Sequence, residues 1–316
     1  MPPSPTAPGA AESEPVRRPD HVFIVGLPRT GTNLTRNILN RSPEVGIAGE
    51  AHFFSVPRRL GLGVRKGFGE RLMATGDLHD DAGARRVVAA VFASTGRRFW
   101  GRLAAAADRA AFESGLLASD RTPRALLDLA LAHYAGGKPV RGDKTPANIY
   151  LVPTLLDWFP GAMVIHTMRD PRAVYASNKR KYEQRPLPLR SRLLRRTGLL
   201  FELYASLDTI VAWRHVVALD RRYRRAYPGR YTTLRFEDLV RDPAREVERL
   251  CAFLGIEGRD EMLEQAVTNS SYLARGATRG FDAAAVDRWR AYLHPLIRRW
   301  FEAWCGRALR DFGYPP

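Results

Sequence analysis

Short runs of apolar and β-branched residues, each ended by glycine, proline or charge, punctuate the chain. Val22-Phe23-Ile24-Val25 is the first, and Val45 to Gly49, Met163 to Met168 and Tyr231 to Phe236 follow. Their length suits buried strands. The segments between them carry helical spacing. Thr32 to Leu39 reads as the first helix, stopped at Arg41-Ser42-Pro43. Asp170 before Pro171 is a helix start, with Asp at the N-cap and Pro in the first turn, and predicts a helix to about Tyr182. Asp242-Pro243 opens another to about Leu254, and a long helix covers about Phe201 to Tyr227. From about 54 to 137 the pattern is helical and alanine-rich, broken by Gly61-Leu62-Gly63, Gly76, Gly96 and Thr122-Pro123, and it reads as a helical insertion. Val140 to Pro146 reads as a turn-rich connection, and the Trp-rich helical end, with Trp289, Trp300 and Trp304, is expected to pack in the core. Strands separated by helices predict an α/β fold: a central parallel sheet, helices on both faces, and ligands at the carboxyl edge of the strands.

The junction between the first strand and the first helix is the most informative stretch. Gly26, Leu27, Pro28, Arg29, Thr30 and Gly31 lead into Thr32 and Asn33. Two glycines let backbone N–H groups curl inward and the helix N-terminus adds positive potential, so the loop suits a phosphate or its analogue. A nucleotide triphosphatase loop shares the glycine spacing but ends in Gly-Lys-Ser/Thr, the Lys serving phosphates and the hydroxyl serving magnesium. Here those two positions hold Thr32 and Asn33, and the cation lies inside the loop at Arg29. That arrangement suits a phosphate-bearing donor used without a metal. The plain alternative is a Gly/Pro turn that binds nothing.

Composition narrows the partners without choosing one. Fifty basic and 33 acidic residues give the 316-residue chain a net charge of +17, which favours anionic partners. Runs such as Arg190 to Arg196 and Arg221 to Arg225 read first as solvated faces. Cys251 and Cys305 form neither a disulfide framework nor a metal spacing, and the seven His show no ligand grouping, so no metal site and a reducing, cytoplasmic location are expected. No uncharged apolar run reaches the roughly 18 residues of a membrane span, which leaves peripheral membrane contact open. Residues 1–20 read as a disordered leader.

A second constellation is Arg169-Asp170-Pro171-Arg172, followed by Ser177 two helical turns on. An Arg fork and a Ser hydroxyl could grip a second phosphate. On spacing alone, an Arg capping its own strand and a solvent-facing Ser fit equally well. His166, inside an apolar run, reads as a satisfied core histidine.

Together these motifs resemble the sulfotransferases that use 3′-phosphoadenosine 5′-phosphosulfate (PAPS), most closely the branch of tyrosylprotein and many bacterial enzymes. The resemblance runs from about Val22 to Trp289. It implies a P-loop-type three-layer α/β fold forming one domain over 21–316. It also implies that Pro28, Arg29, Thr30, Gly31, Thr32 and Asn33 hold the 5′-phosphosulfate, with Asn33 replacing the family's usual small hydroxyl residue. Arg169 and Ser177 match the 3′-phosphate element. Ser271, Arg279 and Gly280 match, more loosely, a C-terminal donor-binding segment. Glu50 matches the branch's catalytic base, with His52 as the second candidate because other branches use His. Lys144, in Asp143-Lys144-Thr145-Pro146, matches the lysine that contacts the transferring group, beside Arg29. Arg235-Phe236-Glu237-Asp238-Leu239 resembles the family's post-strand element.

The implied reaction is metal-free sulfuryl transfer from PAPS, leaving 3′-phosphoadenosine 5′-phosphate (PAP), to a hydroxyl of a small molecule, glycolipid or saccharide. The acceptor hydroxyl loses a proton to a carboxylate, while cations and loop N–H groups stabilise charge on the leaving phosphate. One rival is a P-loop kinase or phosphotransferase, which lacks its loop Lys here. Another is a basic nucleic-acid-binding protein, for which no usual motif is present. Residues 54–137 and 183–196 are expected to shape the acceptor pocket.

Overall fold

Alternate residues of the strand His21–Gly26, β1, enter two different cores. Phe23 and Val25 join one apolar cluster, Val22 and Ile24 the other. All six of its residues are buried, the mark of a central strand covered on both faces. The computed structural model describes residues 18–57, 63–96, 98–183, 198–264 and 281–315. The expected donor residues Ser271, Arg279 and Gly280 lie outside them, as do most of the leader and the stretch 184–196.

The remaining strands are β2 (Val45–Ala48), β3 (Val56–Pro57), β4 (Val64–Arg65), β5 (Val140–Lys144), β6 (Met163–Met168) and β7 (Tyr231–Arg235). The helices are α1 (Thr32–Leu39), α2 (Phe68–Met73), α3 (Asp81–Phe92), α4 (Phe99–Ala106), α5 (Arg109–Leu117), α6 (Pro123–Ala135), α7 (Val152–Trp158), α8 (Pro171–Glu183), α9 (Leu199–Ala226), α10 (Phe236–Arg241), α11 (Pro243–Leu254), α12 (Arg288–Tyr292) and α13 (Pro295–Asp311). Five strands form a parallel sheet in the order β2-β5-β1-β6-β7. Ile38 and Leu39 of α1 and Val247, Leu250 and Leu254 of α11 cover one face. The other packs against α3 to α9 and α13, for example through Val88, Leu127, Trp213 and Phe301. The expected three-layer α/β architecture is therefore observed. Each fully buried Val, Ile or Leu contributes roughly 1.5–3 kcal/mol, so the two layers fix the sheet from both sides.

The stretch 140–146, expected as a connection, instead holds the strand β5, Val140–Lys144, between β2 and β1. Only its first residue is apolar, so it carries no hydrophobic pattern. Gly142 is required there because a Cβ would lie 1.8 Å from the carbonyl oxygen of Val22. Arg141 is held by Asp128 at 2.6 and 3.0 Å. The insertion holds the expected helices, α2 to α6, and also a two-residue antiparallel pair, β3 with β4. The Trp-rich end divides. Trp289 is buried, whereas Trp304 keeps 45% exposure. On α13 the core face is Ile297, Phe301, Cys305 and Leu309 at i, i+4 spacing, which turns position 304 outward. His166 is fully buried, with Nδ1 2.9 Å from Asp220 Oδ1, although its Nε2 has no partner among the described residues.

Candidate active site

The carboxyl ends of all five parallel strands deliver polar residues to one edge: Arg29 after β1, Glu50 after β2, Lys144 at the end of β5, Arg169 after β6 and Phe236-Glu237 after β7. At the centre, the β1–α1 loop is held by backbone that only glycine adopts easily. Gly26 has φ of 144° and Gly31 of 96°. A Cβ on Gly26 would stand 2.5 Å from the Thr167 carbonyl oxygen, and one on Gly31 would stand 2.8 Å from the Phe236 ring. Thr30 turns its hydroxyl into the fold, donating to the Leu27 carbonyl at 2.7 Å and meeting the Thr167 hydroxyl at 2.7 Å. Its side chain therefore ties the loop to β6. Pro28 is exposed, Thr32 buried and Asn33 half-buried. Gly31 is the N-cap of α1, no side chain caps it, and the first turn holds no acidic residue. These features leave the helix N-terminus suited to an anion.

Two clusters flank the loop. On the β6 side, Arg29 Nε donates to Ser177 Oγ at 2.8 Å. Arg169 donates to the Arg29 carbonyl at 3.2 Å and the Ala285 carbonyl at 2.8 Å, and its guanidinium stacks 4.1 Å from the Phe236 ring centre. Arg29, Arg169 and Ser177, 148 residues apart at the extremes in sequence, thus form one cluster. Phe236 supports both Gly31 and Arg169. Glu237, buried beside Arg169, accepts from the Asp170 backbone N–H at 3.0 Å. Asp170 accepts from the Arg172 N–H at 2.8 Å, the helix start read from the sequence.

On the β5 and β2 side, Lys144 Nζ donates to Glu50 Oε1 at 2.8 Å, and His52 Nε2 lies 2.9 Å from Glu50 Oε2. An Arg65 guanidinium nitrogen stands 3.3 Å from His52 Nδ1. A guanidinium only donates, so Nδ1 accepts and Nε2 carries the hydrogen that Glu50 receives. Partial burial tends to raise the Glu50 carboxyl, but the His52 hydrogen bond and the Lys144 ammonium hold it down at about 2. It is ionised at neutral pH. Below this group lies Asp143, fully buried, which accepts from the Ala51 N–H at 3.2 Å, the Thr145 hydroxyl at 3.0 Å and the Asn148 amide at 3.2 Å. Burial pushes its carboxyl up to about 6 despite these bonds. Asp143 thereby anchors both the Glu50–His52 turn and the end of β5.

Glu50, His52 and Lys144 border a cavity of about 280 Å³, with Asn33 and Arg36 of α1, Gly49, and Arg98, Phe99, Arg102 and Tyr134 of the insertion. Of the two stretches expected to shape the acceptor pocket, 54–137 supplies the last four of these residues, and 184–196 of the other lies outside the described residues. Arg36, one turn beyond Asn33, was detectable by helical spacing. Arg65, Arg98 and Arg102 carried no local signal.

Comparison with known proteins bears on the family and the fold. The profile described as the Sulfotransferase family matches residues 19–261. The omega-hydroxy-beta-dihydromenaquinone-9 sulfotransferase of Mycobacterium bovis is 34% identical over 116 residues, 36% of this chain and 28% of that protein. Human carbohydrate sulfotransferase 6 is 31% identical over 181 residues, 52% of this chain and 45% of that protein. The chain therefore spans less than half the length of these curated relatives. Two solved folds superpose on 95% of the chain with TM-scores of 0.55. One is the sulfotransferase domain from the Synechococcus PCC 7002 olefin synthase, at 21% identity and 97% of its length. The other, from the curacin biosynthetic pathway, shows 17% identity over 99% of its length. At these identities the superpositions speak for the fold, whereas the profile match extends over most of the sequence: the chain belongs to the sulfotransferase family.

Proposed function

We propose that the protein transfers a sulfuryl group from PAPS to a hydroxyl of a small molecule, glycolipid or saccharide. One arrangement carries the reading: a lysine and a histidine on the two oxygens of a carboxylate, at a cavity beside an uncapped glycine loop. The loop fits the donor's phosphosulfate, since two close-packed glycines, an uncapped helix start and two cations, Arg29 and Lys144, surround the same edge. Arg169 and Ser177 are assigned to the donor's 3′-phosphate. PAPS, when bound, supplies the sulfuryl group and leaves as PAP.

The chain's own residues do the rest. Glu50, ionised and half-exposed, takes the acceptor's proton onto a carboxylate oxygen, a contribution of about 10²–10⁴-fold for such bases. His52 orients Glu50 and is the weaker candidate for the base, because Arg65 occupies Nδ1 and Glu50 receives the Nε2 hydrogen. Lys144 and Arg29 stabilise negative charge as it grows on the leaving phosphate oxygen. In moving toward that oxygen, Lys144 relaxes its hold on Glu50 and makes the carboxylate a stronger base. The relatives' names, for an omega-hydroxylated menaquinone derivative and for carbohydrate, support a hydroxyl acceptor. Incubation of the purified protein with PAPS, a panel of hydroxyl compounds and a chelator tests the proposal. PAP release coupled to a sulfated product is expected. Magnesium-dependent turnover of ATP with no use of PAPS would refute it.

A further inference from the structure

The cavity beside Glu50 carries more positive charge than the chemistry above uses. Lys144 is paired with Glu50. Arg36, Arg98 and Arg102 also line the wall, and among the described residues none of the three is paired with a carboxylate. Among the described residues the Arg36 side chain donates to the neighbouring Asn37 side chain, at 3.2 Å, and its buried Nε has no partner there. Gly49 makes room for it: a Cβ there would lie 3.2 Å from the Arg36 guanidinium. Arg98 and Arg102 are one turn apart at the start of α4 and exposed to the cavity mouth. Gathering guanidinium groups costs Coulomb energy, and a ligand anion would offset it. Phe99, buried, and Tyr134, their rings 5.9 Å apart, line the same cavity and supply an apolar wall.

The sheet order sets this cluster apart from the charges assigned to the donor's 3′-phosphate, while Asn33 and Lys144, assigned to the phosphosulfate, border the cavity itself. Arg29, Ser177 and Arg169 lie on the β6 side of β1, whereas the cavity opens on the β5 and β2 side. Resting on the sulfuryl-transfer reading, we infer that the acceptor is a hydroxyl compound bearing a second, anionic group, a carboxylate or phosphate. Arg36, Arg98 and Arg102 receive that group and Phe99 and Tyr134 flank the carbon frame between it and the hydroxyl. Guanidinium forks bind such groups by paired, charge-assisted hydrogen bonds. The three arginines therefore select the acceptor, and Glu50 receives the proton of the hydroxyl at its other end.

Matched acceptors test this. Initial rates with PAPS are measured for 4-hydroxybenzoate and 4-hydroxyphenyl phosphate against 4-hydroxybenzyl alcohol, and for 4-hydroxybutyrate against 1,4-butanediol. The wild type should favour the acidic member of a pair by about 10- to 100-fold in kcat/KM, through KM. The double variant Arg98→Glu/Arg102→Glu should lose that preference and bind tyramine better. The two acidic phenols report whether carboxylate or phosphate fits better. Equal use of charged and neutral members by the wild type, or an unchanged ratio in the double variant, overturns the inference. Calorimetric titration with PAP separates the two readings. PAP binding without acid preference, or without binding of any of the acids to the PAP complex, overturns this inference alone. A wild type that fails to bind PAP overturns the donor assignment beneath it.

Discussion

Lys144 Nζ sits 2.8 Å from Glu50 Oε1, so the candidate base and the cation assigned to the leaving group begin as an ion pair. Burial raises the Glu50 carboxyl, and His52 and Lys144 together bring it to about 2. Lys144→Met should move it back toward the ordinary carboxylate range. The acid limb of the kcat/KM profile then shifts to higher pH, and the rate falls by about 10²-fold or more as leaving-group stabilisation is lost. A pH–rate comparison of the two proteins checks both effects.

Asp143 is the buried support of this pair. Asp143→Ala would strand the Ala51 N–H, the Thr145 hydroxyl and the Asn148 amide, and should cost about 3 kcal/mol of stability or more. Denaturant unfolding measures this. The sign of the pH effect follows from its raised pKa. Folded Asp143 titrates at about 6 against an ordinary 3.8, so its ionisation costs stability progressively between those values, with no further loss above about 6. Asp143→Asn should flatten that part of the stability curve.

Gly31→Ala should damage the loop without opening the core. The residue has φ of 96° and faces the Phe236 ring. The strain is worth about 1–3 kcal/mol, and relief requires moving the loop or the ring that stacks on Arg169. Weaker PAP binding by calorimetry, with a modest fall in melting temperature, is expected.

The β1 loop and the helix starts at Asp170-Pro171 and Asp242-Pro243 were legible because their signals are local. An apolar run, two glycines and a capping Asp suffice to define them, and Asp242 does accept from the Arg245 N–H at 3.3 Å. β5 was not legible. Its polar side chains, Arg141, Asp143 and Lys144, are satisfied by partners from other elements, Asp128 and Glu50 among them, and its pairing to β1 and β2 is set by topology. The Glu50–Lys144 contact joins residues 94 apart; both were picked by resemblance, and only the fold shows that they touch. Arg98 and Arg102 reach the same cavity from the insertion, where helical periodicity announces a buried face but not which exposed side chains line a site.

Arg169→Ala should act on one phosphate of the donor. If Arg169 and Ser177 hold the 3′-phosphate, the variant loses about 10- to 100-fold in affinity for PAP but little for adenosine 5′-phosphosulfate, which lacks that group. Parallel titrations with the two nucleotides distinguish this from a general collapse of the loop, which would weaken both equally.

Glu50→Gln removes the proposed proton acceptor while keeping the shape of the side chain, so transfer and donor binding can be read separately. Sulfuryl transfer from PAPS under single-turnover conditions should fall by about 10²–10⁴-fold, with PAP affinity retained. A variant that binds PAP and transfers at the wild-type rate would contradict the assignment of Glu50 as the base.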